Sequence, residues 1–321
     1  MKLTPYCVAC ILTRRSLEIE ELEKNSTKGG SKGNPHAPFL RSMALLKEML
    51  NTLELYAGPD MEVADLVSAS FRHLTKLTDG EIIKVYDKIL SEYIEMAKHR
   101  ADEIVETFKK DSENLDKVEA LKKALYASAL STGFSVFDDT LRLLKEPPTF
   151  NEIITYASSR KGRDDFDKFL DILVGEETGD TIYFLFGRVT EIPYDKILIE
   201  QIKSVQDIKI VGLVRRNRIE DYATYDDLHK FTVVDLLDNI ITIDNIVSNI
   251  EKNNRFGIEH VRLIVVKGPL QTLYMYNNPL SKPVLALFTS TCRVSSKVLG
   301  VKENSINIYI IPPRKQIYQK G

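Results

Sequence analysis

Hydrophobic residues recur at helical spacing throughout the first part of the chain. Apolar side chains return every three or four positions between residues 42 and 55, which predicts a helix. A longer stripe over residues 82–97 follows Thr78-Asp79-Gly80-Glu81, whose Thr and Glu have the spacing of a capping box at a helix start. A third helix is predicted over residues 115–130. The Gly-, Ser-, Asn- and Pro-rich segment 25–38 is predicted to be a loop.

The pattern changes after Pro147-Pro148, where short apolar runs alternate with helical segments such as residues 194–204. Runs of this length and composition predict buried strands. The predicted strands cover residues 181–186, 208–214, 261–266, 284–288 and 305–311. Strands that alternate with helices predict a mostly parallel sheet with crossover helices. The sequence therefore predicts an α/β protein in two parts, a helical region over 1–148 and an α/β domain over 149–321.

Composition narrows the classes of function. Of 321 residues, 43% are hydrophobic and 28% are charged, with a net charge of −2. These values are those of a globular protein and give no general attraction to nucleic acid or to an anionic membrane surface. No run approaches the roughly 20 apolar residues of a membrane helix. With three cysteines and no signal-like N-terminus, we expect a cytoplasmic protein without a disulfide framework. The oligomeric state is not predicted.

Four of the predicted strands end in polar or cationic segments. These segments are residues 187–191, 215–221, 267–269 and 289–293. In a parallel sheet, ligands bind outside the carboxyl ends of the strands. Arg188, Arg215 and Lys267 would converge there, and such a group favours phosphate or another anion. The alternative is that these side chains form an ordinary solvated basic loop.

Several short motifs follow one another in the order typical of the damage-control phosphatase family. The sequence resembles a divergent, archaeal member of that family. The motifs are Cys7-Val8-Ala9-Cys10, Gly179-Asp180-Thr181-Ile182-Tyr183-Phe184-Leu185, Glu191-Ile192-Pro193-Tyr194-Asp195-Lys196, Val214-Arg215 with Glu220-Asp221, Lys267-Gly268, and Thr291-Cys292-Arg293. The resemblance implies an N-terminal helical region, a Rossmann-like C-terminal domain and a site on that domain. It also implies a divalent metal that assists hydrolysis of phosphate monoesters of sugars and damaged metabolites.

The sequence departs from the family pattern at the metal site. Aligning Glu191 on the family's Glu places Gly187 and Arg188 where the family has a metal-binding Asp-Asn pair. Asp221 alone keeps its match as a metal ligand. Because a hard divalent cation needs oxygen ligands, these replacements predict a degraded metal site. Residues 133–137 also differ from the corresponding stretch of the family, which they match only loosely.

Two interpretations of Arg188 stay open. In the first, its guanidinium takes the place of the metal and forms a metal-free anion pocket with Arg215, Glu220, Lys267 and Gly268. In the second, Arg188 pairs with Asp221 and merely fills the vacated space.

Three functions follow from these alternatives. The favoured one is a non-catalytic or regulatory protein that binds a small phosphorylated metabolite. The second is an active phosphatase, in which Glu191, Asp221 and Lys267 act in catalysis with Mn, Co, Ni or Mg, and Glu220 and Asp226 serve as replacement ligands. The third is a structural protein without a small ligand.

Cys7 and Cys10 form the second candidate metal site. Two cysteines supply half of the ligands of a structural zinc. The alternative is that Cys7 and Cys10, three residues apart on a helix, are packed thiols. The sequence contains no Gly-x-Ser-x-Gly elbow and no phosphate-binding P-loop.

Overall fold

The computed structural model describes residues 3–26, 36–58, 60–133, 155–156, 158–175, 179–247, 250 and 257–314, and only the backbone of residues 96–104 and 111. In the described residues, five helices precede the sheet. They are α1 (Pro5–Ser26), α2 (Ala37–Tyr56), α3 (Val63–Leu77), α4 (Glu81–Ser112) and α5 (Lys117–Ser131). The three helices delimited from the sequence correspond to α2, α4 and α5. None of the described helices has the length and apolar character needed to cross a membrane.

The second part of the chain alternates strands and helices. The strands are β1 (Lys161–Asp164), β2 (Thr181–Leu185), β3 (Lys209–Arg215), β4 (Asn239–Ile243), β5 (Val261–Lys267), β6 (Val284–Thr289) and β7 (Ile306–Ile311). The helices are α6 (Phe166–Val174), α7 (Ile192–Val205), α8 (Tyr225–Lys230), α9 (Gly268–Asn277) and α10 (Arg293–Leu299). This alternation confirms the predicted α/β class.

The strands form one sheet in the order β1-β7-β6-β5-β2-β3-β4. Every neighbouring pair is parallel except β6 and β7, which are antiparallel. All residues of β2, β6 and β7 are buried, as expected for strands covered on both faces and rich in Ile, Val and Leu. The mostly parallel sheet predicted from the apolar runs is confirmed.

The strands that the sequence analysis missed lie at the two edges of the sheet. β1 reads Lys-Gly-Arg-Asp and is half exposed, and β4 has a buried side chain only at Ile243. Neither presents the continuous apolar run that identified the central strands.

The predicted capping box before α4 is wrong in its detail. α4 begins at Glu81, but its N-cap is Gly80 in the left-handed conformation, with φ +80°. The Thr78 hydroxyl instead donates to the Leu74 carbonyl oxygen at 2.9 Å. Most of the predicted loop 25–38 lies outside the described residues.

The helices of the first part pack directly on the second part. α5 contacts β6, β7 and α7, and α3 contacts α9. The predicted boundary at 148/149 lies within residues 134–154, outside the described part of the chain, so the division into two domains stays a prediction.

Candidate functional site

A cavity of about 400 Å³ opens at the carboxyl edge of the central strands. The segments that follow β3, β2, β5 and β6 form its floor, and α1 and α3 form a facing wall. Four cationic side chains and two carboxylates are among its lining residues, namely Arg14, Arg15, Arg188, Lys267, Glu191 and Glu220. The parallel topology therefore brings Arg188, Glu191, Glu220, Lys267 and Gly268 to one cavity, together with two arginines from α1.

A cluster of ion pairs joins α1 to the segment after β3. Arg15 is fully buried and pairs with Glu18 at 2.5 Å and with Glu220. Arg14 lies 3.4 Å from Glu18, 4.0 Å from Glu220 and 3.8 Å from Asp221. The cluster fixes the position of α1 over the strand ends.

The two glutamates of this cluster have different proton affinities. Burial alone would raise the pKa of Glu220, but Arg15, Arg14 and Arg188 outweigh it and hold this pKa below its ordinary value. Burial raises the pKa of Glu18 to about 7, against opposing effects of Arg15 and Arg14. Glu18 also accepts a hydrogen bond of 2.5 Å from the Tyr86 hydroxyl.

Arg188 lies beside Asp221, the residue that the sequence analysis matches to a family metal ligand. Its Nε is 3.4 Å from Asp221 Oδ1, and its side chain is 27% exposed, whereas Asp221 is fully buried. The proximity of Asp221 raises the pKa of Arg188 against the opposing effect of burial. The ion pair between Arg188 and Asp221 is the contact expected in the second interpretation of Arg188, and the partial exposure leaves the guanidinium on the cavity wall.

Gly187 leaves room for the Glu191 carboxylate. A Cβ atom added at Gly187 would lie 2.2 Å from Glu191 Oε2, which is far inside van der Waals contact. Glu191 Oε1 accepts a hydrogen bond of 3.0 Å from the Arg188 amide. An aspartate at position 187 is therefore incompatible with the observed position of Glu191.

The described residues do not fit a divalent metal. Both oxygens of Asp221 lack a hydrogen-bond donor, but Arg14 and Arg188 lie against Oδ1, where a further cation would be repelled. Within the described part of the chain, no group of three or more His, Cys, Asp or Glu side chains is arranged to hold a metal ion. Asp226 is the second residue of α8 and does not line the cavity.

Lys267 lies at the base of the cavity in a second buried polar group. Its ammonium donates to Asp195 Oδ1 at 2.5 Å, to Ser128 Oγ at 2.5 Å and to the Ser128 carbonyl oxygen at 2.6 Å. Glu191 Oε2 lies 3.5 Å from the same nitrogen. Burial raises the pKa of both Glu191 and Asp195, although Lys267 acts in the opposite direction.

Arg215 does not line the cavity, contrary to the sequence-based prediction that it binds the ligand. It is fully buried beneath the strand ends, where it donates to the carbonyl oxygens of Phe186 and Ile246 and stacks 4.6 Å from the Tyr222 ring. Burial lowers its pKa to about 10. Its position at the last residue of β3 directs the side chain across the sheet edge.

The three cysteines all line the cavity. Cys7 is buried, with its sulfur 3.2 Å from the Thr4 hydroxyl oxygen, Cys10 is exposed, and Cys292 is intermediate. Burial, together with the nearby Cys292 and Cys7 thiols, raises the pKa of Cys10. The described residues nevertheless provide no metal-holding group that includes Cys7 and Cys10, so their arrangement is that of separate thiols on the cavity wall.

Sequence reasoning missed four residues of this region. Arg14, Arg15 and Glu18 belong to α1, which was not delimited, and Ser128 belongs to α5. The available signal was the pair of adjacent arginines four and three residues before Glu18, a spacing that places opposite charges on one helix face. Asp195 was quoted in a family motif without a role.

The raised pKa of Glu18 predicts a pH-dependent stability. An unfolded glutamate releases its proton near its ordinary value of 4.5, whereas folded Glu18 does so near 7. Between these values the folded protein binds more protons than the unfolded chain, so its stability falls as pH rises from 4.5 to 7. With about 1.4 kcal/mol per pKa unit, the loss attributable to Glu18 is about 3 kcal/mol.

Urea unfolding of the protein and of Glu18→Gln at several pH values measures this effect. The stability of the unchanged protein relative to Glu18→Gln should fall by about 3 kcal/mol between pH 4.5 and 7. Glu21→Gln, on the same helix and more exposed, is the control and should follow the unchanged protein. A difference that is constant with pH would contradict the prediction.

Comparisons with known proteins identify a family and a similar fold. The profile of the damage-control phosphatase ARMT1-like domain matches residues 3–306. The chain is also similar to the crystal structure of a DUF89 family protein from Pyrococcus horikoshii, with a TM-score of 0.73 and 16% sequence identity over 96% of this chain and 98% of the other. At this identity the likeness concerns the fold alone. No match to a curated protein was found.

Proposed function

Because the chain belongs to the damage-control phosphatase ARMT1-like family, we propose that it binds a small phosphorylated metabolite in this cavity and does not hydrolyse it. The observation that carries the proposal is the Arg188 guanidinium at 3.4 Å from Asp221. In this position a cation is built into the protein beside the one carboxylate that matches a family metal ligand.

The groups that reach the cavity favour an anion. The partly exposed charged side chains of the cluster are Arg14, at 17%, and Arg188, at 27%, while Glu220 and Asp221 are 5% and 0% exposed. The guanidinium groups of Arg14 and Arg188 are therefore the more accessible charges of this cluster. A guanidinium presents paired N–H donors in a geometry that matches two phosphate oxygens.

The carboxylates behind the arginines act as positioning groups in this proposal. Three guanidinium groups, from Arg14, Arg15 and Arg188, face three carboxylates, from Glu18, Glu220 and Asp221. This balance of charges permits three arginines to be held close together without strong mutual repulsion. A bound phosphate would meet donors that are already oriented.

The start of α9 is a second source of positive electrostatic potential, which favours an anion. Gly268 lines the cavity at the first residue of this ten-residue helix and has φ +77°, a conformation that favours glycine. A helix N-terminus carries partial positive charge and stabilises anions. Lys267, immediately before it, also lines the cavity, but its ammonium is bound to Asp195 and Ser128.

Calorimetric titration with methyl phosphate, in the presence of a chelator, tests the binding. We expect Arg188→Ala to weaken methyl phosphate binding about tenfold, because a charge-assisted hydrogen bond contributes roughly 1.5–3 kcal/mol. Arg216→Ala is the matched control. Arg216 lies in the segment after the neighbouring strand β3, pairs with Asp244 at 2.9 Å and does not line the cavity, so its removal should leave the affinity unchanged. Equal affinities of the protein and Arg188→Ala would contradict the proposal.

Hydrolysis is tested separately with p-nitrophenyl phosphate and a panel of sugar phosphates, with Mn, Co, Ni or Mg against a chelator. We expect no metal-dependent turnover by folded protein. The competing function is an active phosphatase, in which Asp221 binds the metal and Glu191 and Lys267 act in catalysis. The two Asp221 oxygens without a hydrogen-bond donor are the observation in its favour. Metal-dependent turnover that is lost in Asp221→Asn would establish that function in place of ours.

A further inference from the structure

The two ends of the cavity differ in chemistry. β3, β2, β5 and β6 are consecutive neighbours in the sheet and all four are parallel, so their carboxyl ends lie in a row. The segments after β3 and β2 contribute the charged side chains of Glu220 and Arg188, and Arg14 of α1 pairs with this end. The end over β5 and β6 is formed by α9, α10 and the facing helix α3.

Apolar side chains line the end over β5 and β6 where α3 faces α9. Leu270 and Leu273 of α9 line it, as do Val63 and Val67 of α3. α3 packs against α9, so these four side chains close one end of the same cavity. Leu270 and Val63 are partly exposed there, and Val67 and Leu273 are buried.

Three of the hydroxyl-bearing residues that line the cavity, which also include Tyr222 and Thr291, are poorly suited to donate to a sugar. Thr13 donates to the Ala9 carbonyl oxygen at 2.9 Å, Thr132 to that of Ala129 at 2.8 Å, and Ser295 to that of Cys292 at 2.9 Å. Each of these hydroxyl protons is used inside the protein, so it is not available to a ligand oxygen. A sugar that left its hydroxyl groups without donors against an apolar wall would bind at a loss.

We infer that the ligand of this cavity is a phosphate monoester with an apolar alkyl or aryl tail, rather than a polyhydroxylated sugar phosphate. The inference rests on the proposed binding of a phosphate. The phosphate lies over β2 and β3 against Arg188 and Arg14, and the tail extends over β5 toward Leu270 and Leu273. Neighbouring strands are about 4.8 Å apart, so the row of four strands spans about 14 Å, enough for a phosphate and a tail of several carbons.

Titration of the full chain with methyl, butyl and hexyl phosphate in the presence of a chelator tests the tail. We expect the affinity to rise about fourfold per methylene until the apolar end is filled, the factor that corresponds to about 0.8 kcal/mol per buried CH₂. Glucose 6-phosphate has the same number of carbons as hexyl phosphate and the same charged group. It should bind no more tightly than methyl phosphate.

Leu270→Asn tests the location of the tail. We expect it to weaken hexyl phosphate binding about tenfold more than methyl phosphate binding, because it places an amide against the methylenes. Leu170→Asn is the matched control, since Leu170 is also a partly buried leucine on a helix, α6, and does not line the cavity. The control should leave the ratio of the two affinities unchanged. If Leu270→Asn does not fold, Leu270→Ala tests the same ratio with a smaller expected decrease.

The possible results distinguish a failure of this inference from a failure of the proposed phosphate binding on which it rests. Equal affinities for methyl and hexyl phosphate, or tighter binding of glucose 6-phosphate than of hexyl phosphate, would overturn the inference and leave phosphate binding in place. A chain-length dependence that is identical in Leu270→Asn or Leu270→Ala would overturn the location. Absence of binding by every phosphate in the series would overturn the proposed function and the inference together.

Discussion

Glu220→Gln is expected to lower the free energy of unfolding by about 3 kcal/mol at pH 7. Glu220 is 4% exposed and pairs with the fully buried Arg15. The substitution keeps the shape of the side chain but removes its charge, which leaves Arg15 with Glu18 alone as a direct carboxylate partner among the described residues. Removal of one partner from a buried ion pair costs roughly 3–5 kcal/mol, and the remaining Glu18 contact places the expected effect at the lower end.

Glu303→Gln is the control for this measurement. Glu303 forms an Arg–Glu pair of 3.7 Å with Arg293, but the two side chains are 54% and 81% exposed. Water screens such a pair, so its loss should produce no measurable change in urea unfolding. If the two substitutions have equal effects, the buried cluster does not hold α1 on the strand ends as the structure indicates.

The central strands were predictable because they are buried on both faces. β2 and β6 are almost entirely apolar, and β5 is apolar over residues 263–266. A strand with this pattern belongs in the interior of a parallel sheet. The edge strand β1 has the sequence Lys-Gly-Arg-Asp, which carries no such pattern. It is identified by its pairing with β7, a contact that the sequence of β1 alone does not specify.

The candidate site was predictable only where it depends on strand ends. Arg188 and Lys267 follow buried strands, so parallel topology brings them together. Arg215 occupies the same kind of position, yet its side chain turns beneath the site to the Phe186 carbonyl oxygen. The direction of a long side chain depends on nearby backbone acceptors that the sequence does not locate.

Local sequence patterns could not predict the contacts that α1 makes with the site, for a different reason. Arg15 contacts Glu220, a residue 205 positions away. Helical spacing explains the pairing of Arg15 with Glu18 within α1, but it does not show which distant carboxylate the helix will cover. The ion-pair cluster is a property of tertiary packing.

Lys267→Met is expected to lower the free energy of unfolding by about 4 kcal/mol at pH 8. Lys267 is 1% exposed, and its ammonium contacts Asp195 at 2.5 Å and Glu191 at 3.5 Å. Methionine retains most of the apolar stem but leaves the buried carboxylates without this cation. Removal of one partner from such a group costs roughly 3–5 kcal/mol.

Lys209→Met is the matched control for the loss of a Lys–Asp pair. Lys209 lies 2.6 Å from Asp180, but the two side chains are 62% and 60% exposed. Its replacement should therefore leave urea unfolding unchanged at every pH. A destabilisation as large as that of Lys267→Met would show that the length of the ion pair, rather than its burial, determines the effect.

The destabilisation by Lys267→Met should become smaller as the pH falls from 8 to 5. Burial already raises the pKa of Glu191 and Asp195 in the presence of Lys267, and loss of the cation raises both pKa values further. The folded variant then binds more protons than its unfolded chain, so its stability increases as the pH falls. A protonated carboxyl group no longer needs the cation, and urea unfolding at pH 5 and 8 measures the difference. An equal loss at the two pH values would mean that Lys267 stabilises the fold by packing and hydrogen bonds rather than by neutralising Glu191 and Asp195.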